Sequence, residues 1–235
     1  MKHKKKLLDT DLINKKNLLE IVHDGRFRVA IFGSARIKPE DKLYQDIGQL
    51  AKNLAMSNYD IVTGGGPGAM EAASIGHSIA SKSCLEGQSI GINIELPFEQ
   101  KPNKYLDFTE TTSTFSARLD TFMLLSHVFI VAWGGIGTLL ELFYTWQLMQ
   151  VGHVCKTPII LWGSEYKHLK KFLREEVVKS GFMSEHEYDL AIQVESLENV
   201  LQLVDMAHKQ YDKDGEKACV NINQYIAGAR NLGLI

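Results

Sequence analysis

A chain of 235 residues that is 45% hydrophobic and 23% charged has the composition of a soluble globular protein, with one large domain or two small ones. Its formal net charge of −2 gives no general attraction to nucleic acid or to an anionic membrane, and no apolar run approaches the ~20 residues that span a bilayer. Cys84, Cys155 and Cys219 are far apart and form no Cys-x-x-Cys pair, which predicts free thiols in a reducing cytoplasm rather than a zinc site or a disulfide framework.

The chain opens on "MKHKKK", but Asp9 and Asp11 interrupt the basic run before an apolar signal core can form. Residues 1–25 read as a helical extension attached to the main domain. From Arg28 short apolar runs alternate with longer amphipathic ones. "RVAIFGS" reads as a strand ending in Gly33. "PEDKLYQDIGQLAKNLAMS" reads as a helix, with Leu43, Ile47, Leu50 and Leu54 at near-helical spacing. "YDIVTGGG" is a strand running into glycines, and "GAMEAASIGHSIASKS" a helix of small residues. "SIGINIEL" and "YLDFTET" are strands, "STFSARLDTFMLLS" a helix, and "HVFIVAW" a strand. "IGTLLELFYTWQLMQ" is a helix, "TPIILWG" a strand, and "SEYKHLKKFLREEVVKS" a helix. "LAIQVES" and "SLENVLQLVDMAHKQY" close the pattern as strand and helix. Continuous apolar strands alternating with helices predict a parallel sheet covered on both faces. The expected fold is a doubly wound, mostly parallel α/β domain, Rossmann-like with three α/β/α layers. It spans residues 26–211, with residues 212–235 as a tail packed on it.

Open parallel sheets bind ligands beyond the carboxyl ends of their strands. Three turns of small residues are expected there: Gly33-Ser34-Ala35, Thr63 through Gly68 with Gly64, Gly65 and Gly66, and Gly134-Gly135-Ile136-Gly137-Thr138. Each follows a strand and precedes a helix. Glycine admits a ligand close to the backbone, and a helix N-terminus offers unpaired N–H groups to an anion. One such turn is explained by tight geometry alone. Three together point to an anionic ligand. None is a G-x-G-x-x-G with its later acidic residue, nor a Walker A motif with its lysine.

Glu141 is the single charge in the last of those helices. Leu139, Leu142, Phe143 and Trp146 are spaced to face a core, and Glu141 lies off that stripe. Two readings stand side by side. It stabilises the helix dipole from near the N-terminus, or it does chemistry beside a bound ligand. The eight histidines, His77 and His127 among them, show no metal-ligand spacing, so no metal site is expected.

These residues carry a resemblance. "GGIGTLLE" at Gly134–Glu141 resembles the P-G-G-x-G-T-x-x-E signature of the LOG (Lonely Guy) proteins, cytokinin riboside 5′-monophosphate phosphoribohydrolases often labelled possible lysine decarboxylases. "GGGPGAMEAA", "GINIELPFEQKPN" and "TWQLMQVG" look like the longer, bacterial branch, and the likeness runs from about Arg28 to Ala207. The family's catalytic arginine maps to Arg118 in "SARLDTFM", 23 positions before Glu141 (141 − 118). Trp133 stands where the signature has proline, and Leu119 where a lysine usually follows the arginine.

The resemblance implies hydrolysis of the N-glycosidic bond of a nucleoside 5′-monophosphate, without a cofactor, in a homodimer or larger assembly. Arg118 and Glu141 would be catalytic. Gly33, Ser34, Gly65, Gly66, Gly68, Met70, Gly134, Gly135, Gly137 and Thr138 would hold the substrate and its phosphate. A decarboxylase would normally need a Schiff-base lysine, which these motifs do not supply. The alternative is a carrier that binds a nucleotide or molybdenum cofactor without cleaving it, or a nucleotide sensor. For Arg118 the plain alternative is a surface ion pair with Asp120 or Glu110.

Overall fold

A computed structural model describes residues 16–81, 87–95, 101–214 and 222–233. The basic run at the chain start, Cys84 and Cys219 lie outside them. Seven strands form one sheet in the order β4-β3-β2-β1-β5-β6-β7, and every neighbouring pair is parallel. They are β1 (Arg28–Phe32), β2 (Asp60–Thr63), β3 (Ser89–Ile94), β4 (Phe108–Thr112), β5 (Val128–Ala132), β6 (Ile159–Trp162) and β7 (Ala191–Val194). The central strands β1, β5 and β6 are buried along their whole length, as an apolar run without alternation requires when both faces are covered.

The helices are α1 (Lys16–Val22), α2 (Lys42–Met56), α3 (Ala69–Ser81), α4 (Phe115–Leu125), α5 (Ile136–Gln150), α6 (Tyr166–Phe172), α7 (Glu185–Tyr188), α8 (Leu197–Asp214) and α9 (Ile222–Asn231). α2 packs on α3 and α8, while α4 packs on α1 and α5. Leu18 and Val22 of α1 belong to the same core as the strands, and α9 buries Tyr225, whose Oη donates to Leu203 O at 2.8 Å. No described helix is long and apolar enough to cross a membrane.

The winding reverses once. Strands β1 to β4 progress in one direction, and β5 then pairs with β1 on its free side. The crevice between the ends of β1 and β5 is the topological switch point, where such sheets bind ligands. The glycine turns after β1, β2 and β5 all lie at this carboxyl edge.

The chain departs from its sequence reading in four places. The helix expected over 164–180 is α-helical only through Phe172 and continues as a π-helical turn, Leu173–Val178, for which composition carries no signal. α7 was not anticipated, although Ser184 and Glu187 form the capping box that announces it. The buried stripe of α5 is Thr138, Leu142, Thr145, Trp146 and Met149, whereas Phe143 is exposed and Leu139 half-buried. That helix is apolar nearly all round, so its sequence does not fix which face turns inward. Cys155 is disulfide-bonded, where no disulfide was expected. Cysteine spacing reports local motifs and not long-range closure.

Candidate active site

A cavity of about 610 Å³ opens at the switch point. Its walls come from β1 and the turn after it, the β2 turn, the end of β3, the start of α4 and the start of α5. Of the residues singled out from sequence, Gly33, Ser34, Met70, Arg118, Gly135, Gly137, Thr138 and Glu141 line it. Gly65, Gly66, Gly68 and Gly134 are not among its lining residues.

Steric detail separates the two kinds of glycine. A Cβ on Gly68 would collide with the Ser34 and Ala35 backbone, one on Gly134 with the Thr138 side chain, and one on Gly33 with Ala69. Ala69 N donates to Ser34 O at 2.9 Å, tying the first two turns together. Gly65 has φ +73°, a left-handed conformation that glycine adopts at no steric cost. Asn103 fixes the same turn, with its backbone N–H donating to Gly65 O at 2.8 Å and its Nδ2 reaching Gly65 O and Gly66 O. Gly135 and Gly137, by contrast, face space that no protein atom occupies within 4 Å. They sit at the N-cap and second position of α5, where backbone N–H groups are unpaired. This is geometry suited to an anion.

Arg118 and Glu141 meet at the cavity wall. Arg118 Nη1 lies 3.5 Å from Glu141 Oε1, with the side chains only 13% and 12% exposed. Arg118 Nε donates to Ile92 O at 2.8 Å, and the guanidinium lies across Gly64, where any Cβ would clash with it. Asp120, the partner expected for a surface ion pair, instead accepts from Tyr144 Oη at 2.5 Å. Glu141 is the sixth residue of α5, beyond the first turn where the dipole acts, so helix stabilisation does not explain it. Burial pushes its carboxyl up from 4.5 to about 7, with Arg118 opposing the shift. Burial also lowers the Arg118 pKa, with Glu141 raising it. A carboxyl whose titration is raised toward neutral pH and which is held against a guanidinium is equipped to exchange a proton there.

The two departures from the signature are absorbed by packing. Trp133 stacks edge-on against Tyr166 at 5.2 Å, and Tyr166 Oη donates to Ala132 O at 3.1 Å. Leu119 is buried and does not line the cavity. His77 is fully buried with Nε2 3.0 Å from Tyr59 O, and His127 Nδ1 accepts from Arg28 N, both toward the opposite end of the strands. Arg36, Asn93, Ile94, Phe115 and Ile136 also line the cavity and were not foreseen. Asn93, Ile94 and Ile136 lie in segments that carry the resemblance but were not singled out, and Arg36 and Phe115 lie in none of the motif turns.

Fold and site together define a Rossmann-like protein with an open glycine turn at a helix N-terminus beside a buried carboxylate–guanidinium pair. The family model described as possible lysine decarboxylase matches residues 70–204, and the chain belongs to that family, the LOG family of the resemblance. It is 30% identical over 121 residues to the pyrimidine/purine nucleotide 5′-monophosphate nucleosidase of Escherichia coli (strain K12), covering 49% of this chain and 26% of that protein. The chain thus spans about a quarter of the curated relatives' length. Among solved structures, the molybdenum cofactor binding protein from Rippkaea orientalis superposes with a TM-score of 0.56 at 22% identity, over 77% of this chain and 96% of that one. The molybdenum cofactor carrier protein from Chlamydomonas reinhardtii gives 0.56 at 20% identity, over 78% and 99%. At these identities the likeness is one of fold.

Proposed function

We propose that this protein hydrolyses the N-glycosidic bond of a nucleoside 5′-monophosphate, releasing the free base and ribose 5-phosphate. The observation that carries the reading is the Arg118–Glu141 pair at 3.5 Å, buried in the cavity wall with the carboxyl raised to about 7. Family membership and the nucleotide nucleosidase relative support it. In this mechanism the 5′-phosphate sits on the N–H groups at Gly135–Thr138, with Ser34 beside it. The C1′–N bond breaks and its electron pair leaves on the base. Positive charge gathers on the ribose, and ionised Glu141 stabilises it. Water bonds to C1′ and gives one proton to Glu141, which then supplies the proton the departing base requires. Arg118 offsets the negative charge developing on the base.

A carrier has no use for a buried carboxylate poised near neutral pH, so the pair favours the enzyme over the cofactor-carrier alternative. No lysine is among the described residues that line the cavity, so no Schiff-base amine faces it and lysine decarboxylation has no support there. Incubation with AMP and measurement of adenine and ribose 5-phosphate is the test. Tight binding with no release of base would overturn hydrolysis in favour of a carrier or sensor.

We infer further that two copies associate through the outer face of α5. Ile136, Leu140, Phe143 and Val151 recur at helical spacing and are all exposed, Ile136 by 82%. Exposed apolar side chains grouped on one helix face, here around Gln147 and ending at the C-cap Val151, favour a contact surface.

A further inference from the structure

Arg118 and Glu141 stand on different helices, so their separation depends on what holds α4 against α5. A second polar contact joins the same two helices. Tyr144 Oη donates to Asp120 Oδ1 at 2.5 Å. Tyr144 follows Glu141 by three residues on α5, and Asp120 follows Arg118 by two on α4. Positions three apart on a helix are neighbours on its surface, so one side of α5 carries both contacts. Positions two apart point about 200° away from each other, so α4 is held from two sides and its roll is fixed. A phenol donating to a carboxylate makes a charge-assisted bond, stronger than one between neutral groups. Burial raises the Tyr144 pKa above its ordinary 10.0, and the Asp120 carboxylate adds to the rise. The phenol therefore keeps its proton and donates throughout the neutral range. Neither Tyr144 nor Asp120 lines the cavity.

We infer, resting on the hydrolytic reading above, that Tyr144 and Asp120 are positioning residues, whose hydrogen bond sets the roll of α4 on α5 and so holds the Arg118 guanidinium beside Glu141. The catalytic pair cannot do this for itself. In the proposed cycle Glu141 becomes neutral when it takes the proton from water, and its Coulomb attraction to Arg118 lapses at that moment. The Tyr144–Asp120 bond exchanges no proton in the cycle, so it keeps α4 in place through the step in which the pair is uncharged on one side. Arg118 Nε, anchored on Ile92 O at 2.8 Å, fixes where the side chain leaves the helix wall, and the clasp between the helices fixes how far it lies from α5. A misplacement of about 1 Å at a catalytic group costs on the order of 10²-fold in rate, which is why a contact outside the cavity matters to the chemistry within it.

The test compares wild type with Tyr144→Phe, Asp120→Ala and Asp120→Asn. kcat and KM for AMP are measured across the neutral range, the Glu141 carboxyl is titrated by carbon NMR, and unfolding midpoints are recorded. Arg118 lowers the Glu141 pKa against the rise that burial imposes. The other ionisable groups facing Glu141 are Tyr166 from α6 and Arg36 across the cavity, and no variant alters them. Tyr144→Phe should free Arg118 to move away, so Glu141 should titrate higher than in wild type and the acid limb of kcat/KM should move up with it. kcat should fall about 10-fold with KM little changed. Asp120→Ala should lower kcat alike, and the double variant should be no worse than either single. Asp120→Asn keeps the acceptor and removes the charge, and should keep wild-type kcat. A bond that served packing alone would lower the unfolding midpoint and leave the Glu141 titration and kcat in place. That result, or additive losses in the double variant, overturns the proposal while leaving hydrolysis intact. If wild type binds AMP without releasing adenine, the hydrolytic reading falls, and the Glu141 titration still decides whether the clasp holds Arg118.

Discussion

Glu141→Gln keeps the size and hydrogen-bonding shape of the side chain and removes its charge. The carboxyl ordinarily titrates at 4.5 and in the folded protein at about 7, so the native state holds its proton more tightly than the unfolded chain. Stability from the protonated form is therefore complete below about 4.5 and is lost as the pH rises to about 7. The shift corresponds to about 3 kcal/mol at pH 8 and less than about 1 kcal/mol at pH 5. Glutamine resembles the protonated acid at every pH, so it should recover that energy, and Arg118 keeps a hydrogen-bond acceptor at 3.5 Å. The variant should be more stable than wild type by up to about 3 kcal/mol at pH 8, with the gain fading at pH 5. Its turnover of a nucleoside 5′-monophosphate should fall by about 10²-fold or more. Denaturant melts at both pH values and kcat on the same preparation read the two effects. A carboxylate that served only the helix would give the opposite signs, with stability lost and activity kept. Full activity in Glu141→Gln would falsify the catalytic assignment.

In wild type, kcat/KM should rise about tenfold per pH unit below about 7 and level off above it as Glu141 ionises; a flat profile from pH 5 to 8 would remove Glu141 as the base. Arg118→Lys keeps the charge but not the planar fork that bridges Ile92 O and Glu141, and should lose about 10-fold or more in kcat; equal rates would leave only a packing role. Gly135→Ala meets no protein atom and has φ −89°, so its unfolding midpoint should not move, yet phosphate-bearing ligands should bind at least about 10-fold more weakly; unchanged affinity would take the phosphate off this turn. Phe143→Glu places a charge in the outer stripe of α5 and should shift a dimer to monomer in sedimentation, whereas a monomeric wild type at micromolar concentration would dismiss the association.

The strand-and-helix alternation was legible because β1, β5 and β6 are apolar without interruption, and only a doubly covered parallel sheet makes that pattern comfortable. Arg118 and Glu141 were legible through a signature, since no periodicity links positions on two different helices. Their contact, and the burial that perturbs the carboxyl, exist only once β3, α4 and α5 converge. The phase of α5 was misread for a related reason. Thr138 and Thr145 are buried in place of Leu139 and Phe143, and a count of apolar residues does not see a buried threonine whose hydroxyl bonds to the helix, as Thr145 Oγ1 does to Glu141 O at 2.7 Å. Asn93 lies in a segment that carries the resemblance but has no role there that the sequence alone states, and one phenylalanine at a helix start, Phe115, is commonplace.

The three glycine turns rest on one another. Gly33 abuts Ala69, Gly68 abuts the Ser34 carbonyl, and Gly134 sits 3.0 Å, measured from a would-be Cβ, from the Ser34 N–H. The floor of the cavity is thus a single interlocked piece of main chain drawn from three separate stretches of sequence. Changes there should behave non-additively, because a shift in one turn is felt by the other two. The rim is different, since Asn93, Ile94 and Phe115 each stand on an element already secured elsewhere. On the proposed hydrolysis, a library confined to those rim positions should move selectivity between leaving groups while the anchoring of the sugar phosphate stays fixed.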